Sequence, residues 1–133
     1  MILSINNNNS KLVHMPTNLS FDEVEWKPAP RGYYLTDVKQ KTLWVNEETG
    51  ATIALVKFPP GVADKLHTHP TANQIALGLS GAINTSMGVI VPDGTSLNIT
   101  PKGEVHGHGD FAEESIALFY WDGSPKPEVV EET

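Results

Sequence analysis

The sequence predicts an all-β protein, a sandwich or jelly roll of short strands, on three observations. Runs of β-branched and aromatic residues recur along the chain, and Gly, Pro, Asn and Asp residues separate them. No stretch has convincing helical periodicity, and the chain contains no internal repeat. The length of 133 residues suits one domain with one hydrophobic core.

The strands are expected where apolar and β-branched residues cluster between turn signals. They cover 33–38, 42–45, 51–58, the segment with His67 and His69, 73–79, 87–91, 96–100 and 115–121. Pro60-Gly61 predicts a type II turn before the histidine segment, and Asp93-Gly94 is typical of a hairpin.

Residues 73–79 predict a strand with two different faces. Gln74, Ala76 and Gly78 share one face, and the intervening residues, all apolar, share the other. If Gln74 points inward, Ala76 and Gly78 leave space inside the protein for a small ligand. The apolar face predicts a homodimer interface; the alternative is that the N-terminal segment of the same chain covers it.

The two ends of the chain differ in composition from its centre. Residues 1–20 contain a run of asparagines, so we expect a flexible segment or an edge strand there. The barrel itself is expected over 21–124. The acidic, proline-containing tail, 125–133, predicts disorder.

Charge and composition exclude several functions. The formal net charge is −7 and no basic residues cluster, which argues against a nucleic acid or an anionic membrane as partner. Without cysteine there are no disulfides and no thiolate metal ligands. No apolar run is long enough for a membrane span and no targeting segment is visible, so we expect a cytoplasmic protein.

Three histidines have the spacing of a metal site. His67 and His69 are two residues apart, so both side chains point to the same face of a strand. His106 follows the turn that Pro101 and Gly103 predict. Imidazoles that converge from neighbouring strands suit iron, zinc, copper or nickel, with open positions for water or substrate.

These residues resemble the two sequence motifs of the cupins, whose fold is the double-stranded β-helix, a jelly-roll barrel. The matches to the first motif are Gly61, His67, His69 and Gly81, with Gln74 where Glu is usual. The matches to the second are Pro101, Gly103 and His106, with Gly94 one residue early and Asp110 in place of Asn. The resemblance implies one divalent transition metal, most often Fe, with Zn, Mn or Ni as alternatives. Its ligands would be His67, His69, His106 and, more weakly, Gln74.

Gln74 changes the expected chemistry of such a site. With neutral imidazoles and an amide, the charge of a divalent ion is uncompensated and should attract a small anionic, chelating ligand. An amide is also no general base. His108 lies two residues after His106 and on an extended strand would share its face, so it is a candidate for a further ligand, a partner of a ligand, or the catalytic acid or base. The alternative is that Gly107 and Gly109 place it in a solvent-exposed loop. The weaker candidates are Glu104, Asp110, Tyr33, Tyr34 and Tyr120.

The order of Trp26, Pro28, Gly32 and the Thr49-Gly50 turn before the histidines is similar to small cupins related to diketone-cleaving dioxygenases and to cupin-type anti-sigma sensor domains. This similarity implies a dioxygenase-type oxidoreductase acting on a chelating or enolisable small molecule. Two alternatives stay open: a non-redox lyase or isomerase on a sugar acid or similar polar substrate, and a non-catalytic ligand- or metal-binding protein.

Overall fold

The computed structural model describes residues 17–30, 32–81, 83–85, 88–90 and 94–130. Within these ranges the regular structure is almost entirely β, with one 3-10 turn at Phe21–Glu23. The strands are β1 Lys27–Pro28, β2 Lys39–Val45, β3 Thr52–Phe58, β4 Gly61–Val62, β5 His67–Thr68, β6 Gln74–Ser80, β7 Ile83–Thr85, β8 Gly88–Ile90, β9 Leu97–Thr100, β10 Asp110–Phe111, β11 Ser115–Trp121 and β12 Glu128–Val129. The all-β prediction is confirmed.

The described strands form a six-stranded sheet, a four-stranded sheet and one separate pair. Their orders are β1-β2-β3-β11-β6-β9, β4-β10-β7-β8 and β12-β5. Every pairing is antiparallel. Because β11 lies between β3 and β6, the chain crosses between the sheets, as jelly-roll topologies do and simple meanders do not.

Aromatic residues join the two larger sheets into one core. Phe58 of β3 stacks on Phe111 of β10 with ring centroids 4.5 Å apart, and it also contacts Phe119 of β11. Small side chains fill the space around these rings, among them Ala54, Ala63, Ala76 and Ala117, all fully buried. Burial of these apolar groups is the main term that stabilises the fold.

The two faces of β6 differ as the sequence predicts. Gln74, Ala76 and Gly78 are buried, whereas the alternate positions are half-buried or exposed. On the outer face of the larger sheet, Leu19, Val24 and Trp26 pack over its β2-β3-β11 portion. The same face remains exposed along β9.

Two described segments differ from the sequence-based expectations. Where a strand was expected over 33–38, Tyr34 makes only an isolated bridge to Asp64, because the chain turns at 36–38 before β2 begins at Lys39. In the tail expected to be disordered, β12 pairs with β5. The possible edge strand within residues 1–16 lies outside the described residues. No helix in the described part of the chain is long and apolar enough to cross a membrane.

Candidate metal centre

His67 and His106 lie opposite each other in an antiparallel bridge. The N–H of His67 donates to the carbonyl of His106 over 2.8 Å, and the N–H of His106 donates to the carbonyl of His67 over 2.9 Å. Residues that exchange both hydrogen bonds project their side chains to the same face. The bridge therefore brings together two histidines that are far apart in sequence.

His69 completes a compact cluster with this pair. One ring nitrogen of each of the three histidines lies within 4.8 Å of the others, and all three side chains are buried. The ring centroids are 4.3 Å apart for His67 and His106, and 5.0 Å apart for each pair with His69. Three imidazoles converging on one point are a suitable ligand set for a divalent transition metal.

Backbone carbonyls in their own loops orient two of these rings. Nδ1 of His67 lies 2.7 Å from the carbonyl oxygen of Lys65, and Nδ1 of His106 lies 3.1 Å from that of Glu104. Because a carbonyl only accepts hydrogen bonds, each Nδ1 carries the proton, and Nε2 is the nitrogen left to bind a metal. Gly107 makes this packing possible, since a Cβ there would lie 2.5 Å from the Lys65 oxygen.

The C-terminal segment orients His69. Its Nδ1 lies 2.8 Å from the carbonyl oxygen of Pro125. The Thr71 hydroxyl donates to the carbonyl of Ser124, and β12 pairs with β5, with Val129 opposite His67. Gly123 allows the close approach, because a Cβ there would lie 2.2 Å from the Thr71 oxygen. The tail is thus part of the site.

An unsatisfied nitrogen of the cluster fits a metal. Nε2 of His106 is buried, and it makes no hydrogen bond to any described residue. Burial lowers the pKa of His106, against the opposing effect of the Glu104 carbonyl, and so favours the neutral imidazole that can coordinate. A buried acceptor without a partner is costly, and a coordinated ion would satisfy it.

Gln74 lies on the inward face of β6, but its amide oxygen is already engaged. The indole N–H of Trp121 donates to Oε1 of Gln74 over 2.9 Å. An indole N–H only donates, so this bond fixes which end of the amide is the oxygen. The NH₂ end can donate a hydrogen bond but cannot ligate a metal. Coordination by Gln74 stays a prediction, and the structure gives its oxygen a different partner.

His108 lies outside the cluster of the three histidines. Its φ is +54° and that of Gly107 is +129°, so the extended backbone on which the prediction depended is interrupted here. The side chain is exposed. A catalytic role for His108 remains an untested prediction, and its geometry does not favour it.

Of the weaker candidates, Tyr33 lies at the cluster. Its buried ring packs on His67 with centroids 3.9 Å apart, and its hydroxyl donates to that of Tyr34 over 3.3 Å. Glu104 contributes its backbone carbonyl but has an exposed side chain, and Asp110 is also exposed. Tyr120 alternates with the inward-facing residues of β11 and is half-buried.

Asp64 is a residue of the site that the sequence analysis missed. Its Oδ1 accepts the N–H of Gly109 over 3.1 Å, its Oδ2 lies 4.0 Å from Nδ1 of His67, and its backbone carbonyl accepts the N–H of His108. Burial raises its pKa to about 6, although these N–H groups and the charge of His108 act in the opposite direction. No motif marks this aspartate, because its partners come together only on folding.

A double-sheet barrel with three inward histidines defines a metal-binding cupin, and comparisons with known proteins agree. The ChrR cupin-like domain family matches residues 14–125, and the chain belongs to this family. No curated protein sequence matches the chain.

Solved structures similar to this one are also cupins. A candidate acetylacetone dioxygenase of Methylibium petroleiphilum PM1 has a TM-score of 0.72 and 20% identity, covering 88% of this chain and 82% of that one. An acetylacetone dioxygenase of Acinetobacter johnsonii has a TM-score of 0.70 and 17% identity, covering 90% and 79%. The Rhodobacter sphaeroides anti-sigma protein ChrR, in complex with SigE, has a TM-score of 0.59 and 18% identity, covering 90% and 58%. At these identities the similarity establishes the fold, and it confirms the predicted cupin barrel.

Proposed function

We propose that this chain is a metal-dependent oxidoreductase of the dioxygenase type that acts on a small chelating or enolisable substrate. The observation that carries the proposal is the buried cluster of His67, His69 and His106, whose Nδ1 atoms are all bonded to backbone carbonyls. The resemblance to structures named acetylacetone dioxygenases supports the reaction class. Iron is the metal we propose, with the cytoplasm as location.

The residues of the site support an anionic substrate. A bound Fe(II) would supply Lewis acidity and redox chemistry toward dioxygen. The three histidines would hold it without neutralising its charge, and no carboxylate belongs to the ligand cluster in the described residues. An enolate or a carboxylate ligand would balance that charge.

Oxygen uptake tests the reaction class. The metal-free chain would be loaded with Fe(II) anaerobically, mixed with acetylacetone or a keto acid, and then exposed to oxygen. We expect substrate-dependent oxygen consumption by the iron form and none by the zinc form. Turnover by the zinc form without oxygen would contradict the dioxygenase proposal and indicate a lyase or isomerase.

The family match favours one further candidate, a non-catalytic sensor. ChrR, in the complex with SigE, is an anti-sigma protein, and this chain belongs to the family named after its cupin-like domain. A sensor would bind a metal and a chelating ligand without consuming either. Tight ligand binding with no turnover in any metal form would support this candidate.

We also propose that the chain is a homodimer that pairs through β9. This strand lies at one edge of the six-stranded sheet, and Leu97 and Ile99 are 58% and 57% exposed on its outer face. An apolar edge strand can continue its sheet with a second, antiparallel copy of itself. We expect a dimer by sedimentation at micromolar concentration, and a monomer for the Leu97→Lys/Ile99→Lys variant. Leu35→Lys, at another exposed leucine, is the control; a monomeric wild type would contradict the proposal.

A further inference from the structure

Three inward residues form a row across adjacent strands beside the histidine cluster. Trp121 of β11 pairs with Gln74 of β6, and Gln74 pairs with Thr100 of β9. All three are buried, and paired residues of antiparallel strands share a face. The Trp121 ring lies 6.1 Å from that of His69, and the turn after Thr100 is bonded to the His69 carbonyl through the N–H of Gly103.

Thr100 has a buried polar atom without a hydrogen bond to the described part of the chain. It is 2% exposed, and its Oγ1 has no hydrogen-bond partner among the described residues. A buried hydroxyl without a partner destabilises a protein, and valine has the same shape without that cost. The threonine is therefore best explained by a bound ligand that makes a hydrogen bond to its hydroxyl.

The neighbouring atoms indicate the chemistry of that group. Because the oxygen of Gln74 accepts from Trp121, the amide keeps its NH₂ as a donor, on the residue that pairs with Thr100 across β6 and β9. The rings of Phe119 and Trp121 stack at 5.3 Å and 19°, so aromatic surface lies beside the amide of Gln74 that Trp121 holds. Two neutral donors beside aromatic rings suit an oxygen atom of a small planar oxyanion.

We propose that Thr100 and Gln74 form a hydrogen-bonding subsite for the oxygen of a planar oxyanion, such as an enolate or dicarboxylate, whose other oxygen binds at the three-histidine centre. The inference rests on the proposed function, because it assumes a metal at that centre. It adds the residues that select the ligand. Thr100 contributes a hydroxyl donor, and Gln74, held by Trp121, contributes an N–H donor.

The test is the Thr100→Val variant, with Thr100→Ser as the matched control that keeps the hydroxyl. Each full-length chain would be loaded with zinc, its metal content measured, and oxalate titrated by calorimetry. We expect Thr100→Val to bind oxalate about tenfold more weakly, the loss of one hydrogen bond to a charged group, while Thr100→Ser binds as the wild type does. We also expect metal-free Thr100→Val to melt no lower than the wild type, because the unsatisfied hydroxyl is gone.

Gln74→Glu gives a second, independent variant. It keeps an acceptor for Trp121 but replaces the NH₂ donor with a charged carboxylate, so we expect tighter zinc binding and weaker oxalate binding. Unchanged oxalate affinity in Thr100→Val and Gln74→Glu, at equal metal content, would overturn the subsite and mean that water alone fills this space. A lower melting temperature of metal-free Thr100→Val would also overturn it, because the hydroxyl would then be structural. Absence of oxygen uptake contradicts the dioxygenase proposal only, because the oxalate titration needs no turnover.

Discussion

His67 and His106 are held in the cluster by their own loops, whereas His69 is held by the far end of the chain. The carbonyls that orient the first two belong to residues two positions earlier, Lys65 and Glu104. The carbonyl that orients His69 belongs to Pro125, 56 residues later. Each of the first two rings is thus oriented by its own loop, and the orientation of the third depends on how the tail packs.

The loop of His106 and the C-terminal tail each depend on one close glycine contact. Gly107 lets the His106 loop approach Lys65, and Gly123 lets the tail approach Thr71. A side chain at either position would collide with a backbone oxygen, which cannot move aside easily. The two sides differ in how easily they can be tested. No described residue after Trp121 belongs to the hydrophobic core clusters, so the tail can be changed while the core and all three histidines are kept.

The largest effect should come from removing a ligand on either side. His69→Ala and His106→Ala should each weaken zinc affinity more than about 100-fold, above the usual effect of losing an outer hydrogen bond. His108→Ala is the control, because that side chain is exposed and outside the cluster. Competition with a chromophoric chelator measures all three. Equal losses in His108→Ala and the other two would contradict the ligand assignment.

Removal of the C-terminal tail should affect the orientation of the His69 ring alone and leave the loops that orient His67 and His106 unchanged. A chain that ends at Ser124 lacks the Pro125 carbonyl and β12, so the His69 ring loses its acceptor. We expect zinc affinity to fall about 10- to 100-fold, with the far-ultraviolet circular dichroism spectrum retained. A chain that ends at Val130 keeps both features and should bind zinc as the full chain does. Identical affinities in the two truncated chains would show that the tail does not position His69.

Asp64 allows a smaller test of the local side, through the pH dependence of stability without metal. Its pKa rises from the ordinary 3.8 to about 6 on folding, so between these values the folded state holds a proton that the unfolded state has released. This contribution is complete below 3.8 and is lost as the pH rises through about 6. Asp64→Asn keeps an oxygen for the N–H of Gly109 and removes the titration.

We therefore expect metal-free Asp64→Asn to be more stable than the wild type at pH 7, by about 1–3 kcal/mol, and to match it at pH 3.5. Urea unfolding at a series of pH values in a chelating buffer gives the comparison. The lowered pKa of His106 has the opposite effect, since it makes the free energy of unfolding rise as the pH increases toward 6.5. This contribution is the same in the wild type and in Asp64→Asn, so it cancels in the comparison. The control is Asp37→Asn, at an exposed aspartate, which should have the same free energy of unfolding as the wild type at every pH. If Asp64→Asn also matched the wild type at every pH, the raised pKa of Asp64 would be contradicted.

The sequence predicts the cluster of three histidines better than it predicts their surroundings. The spacing of His67 and His69 and the turn before His106 are local, and β3, β6 and β11 lie close to where composition predicts them. The Pro125 carbonyl, Asp64 and the Trp121–Gln74 bond reach the site only through packing between distant segments. The tail differs from the prediction for a physical reason, because Glu128 and Val129 pair with β5 through backbone hydrogen bonds, which composition does not encode.

The most direct test of the metal centre is the metal content of the purified full-length chain beside that of His67→Ala. Each protein would be incubated with Fe(II) or zinc, dialysed, and measured by plasma mass spectrometry, with circular dichroism to show that both are folded. The convergence of three buried histidines predicts about one metal ion per wild-type chain and a small fraction of that for the variant. Equal metal content in the two folded proteins would contradict a metal centre at these histidines.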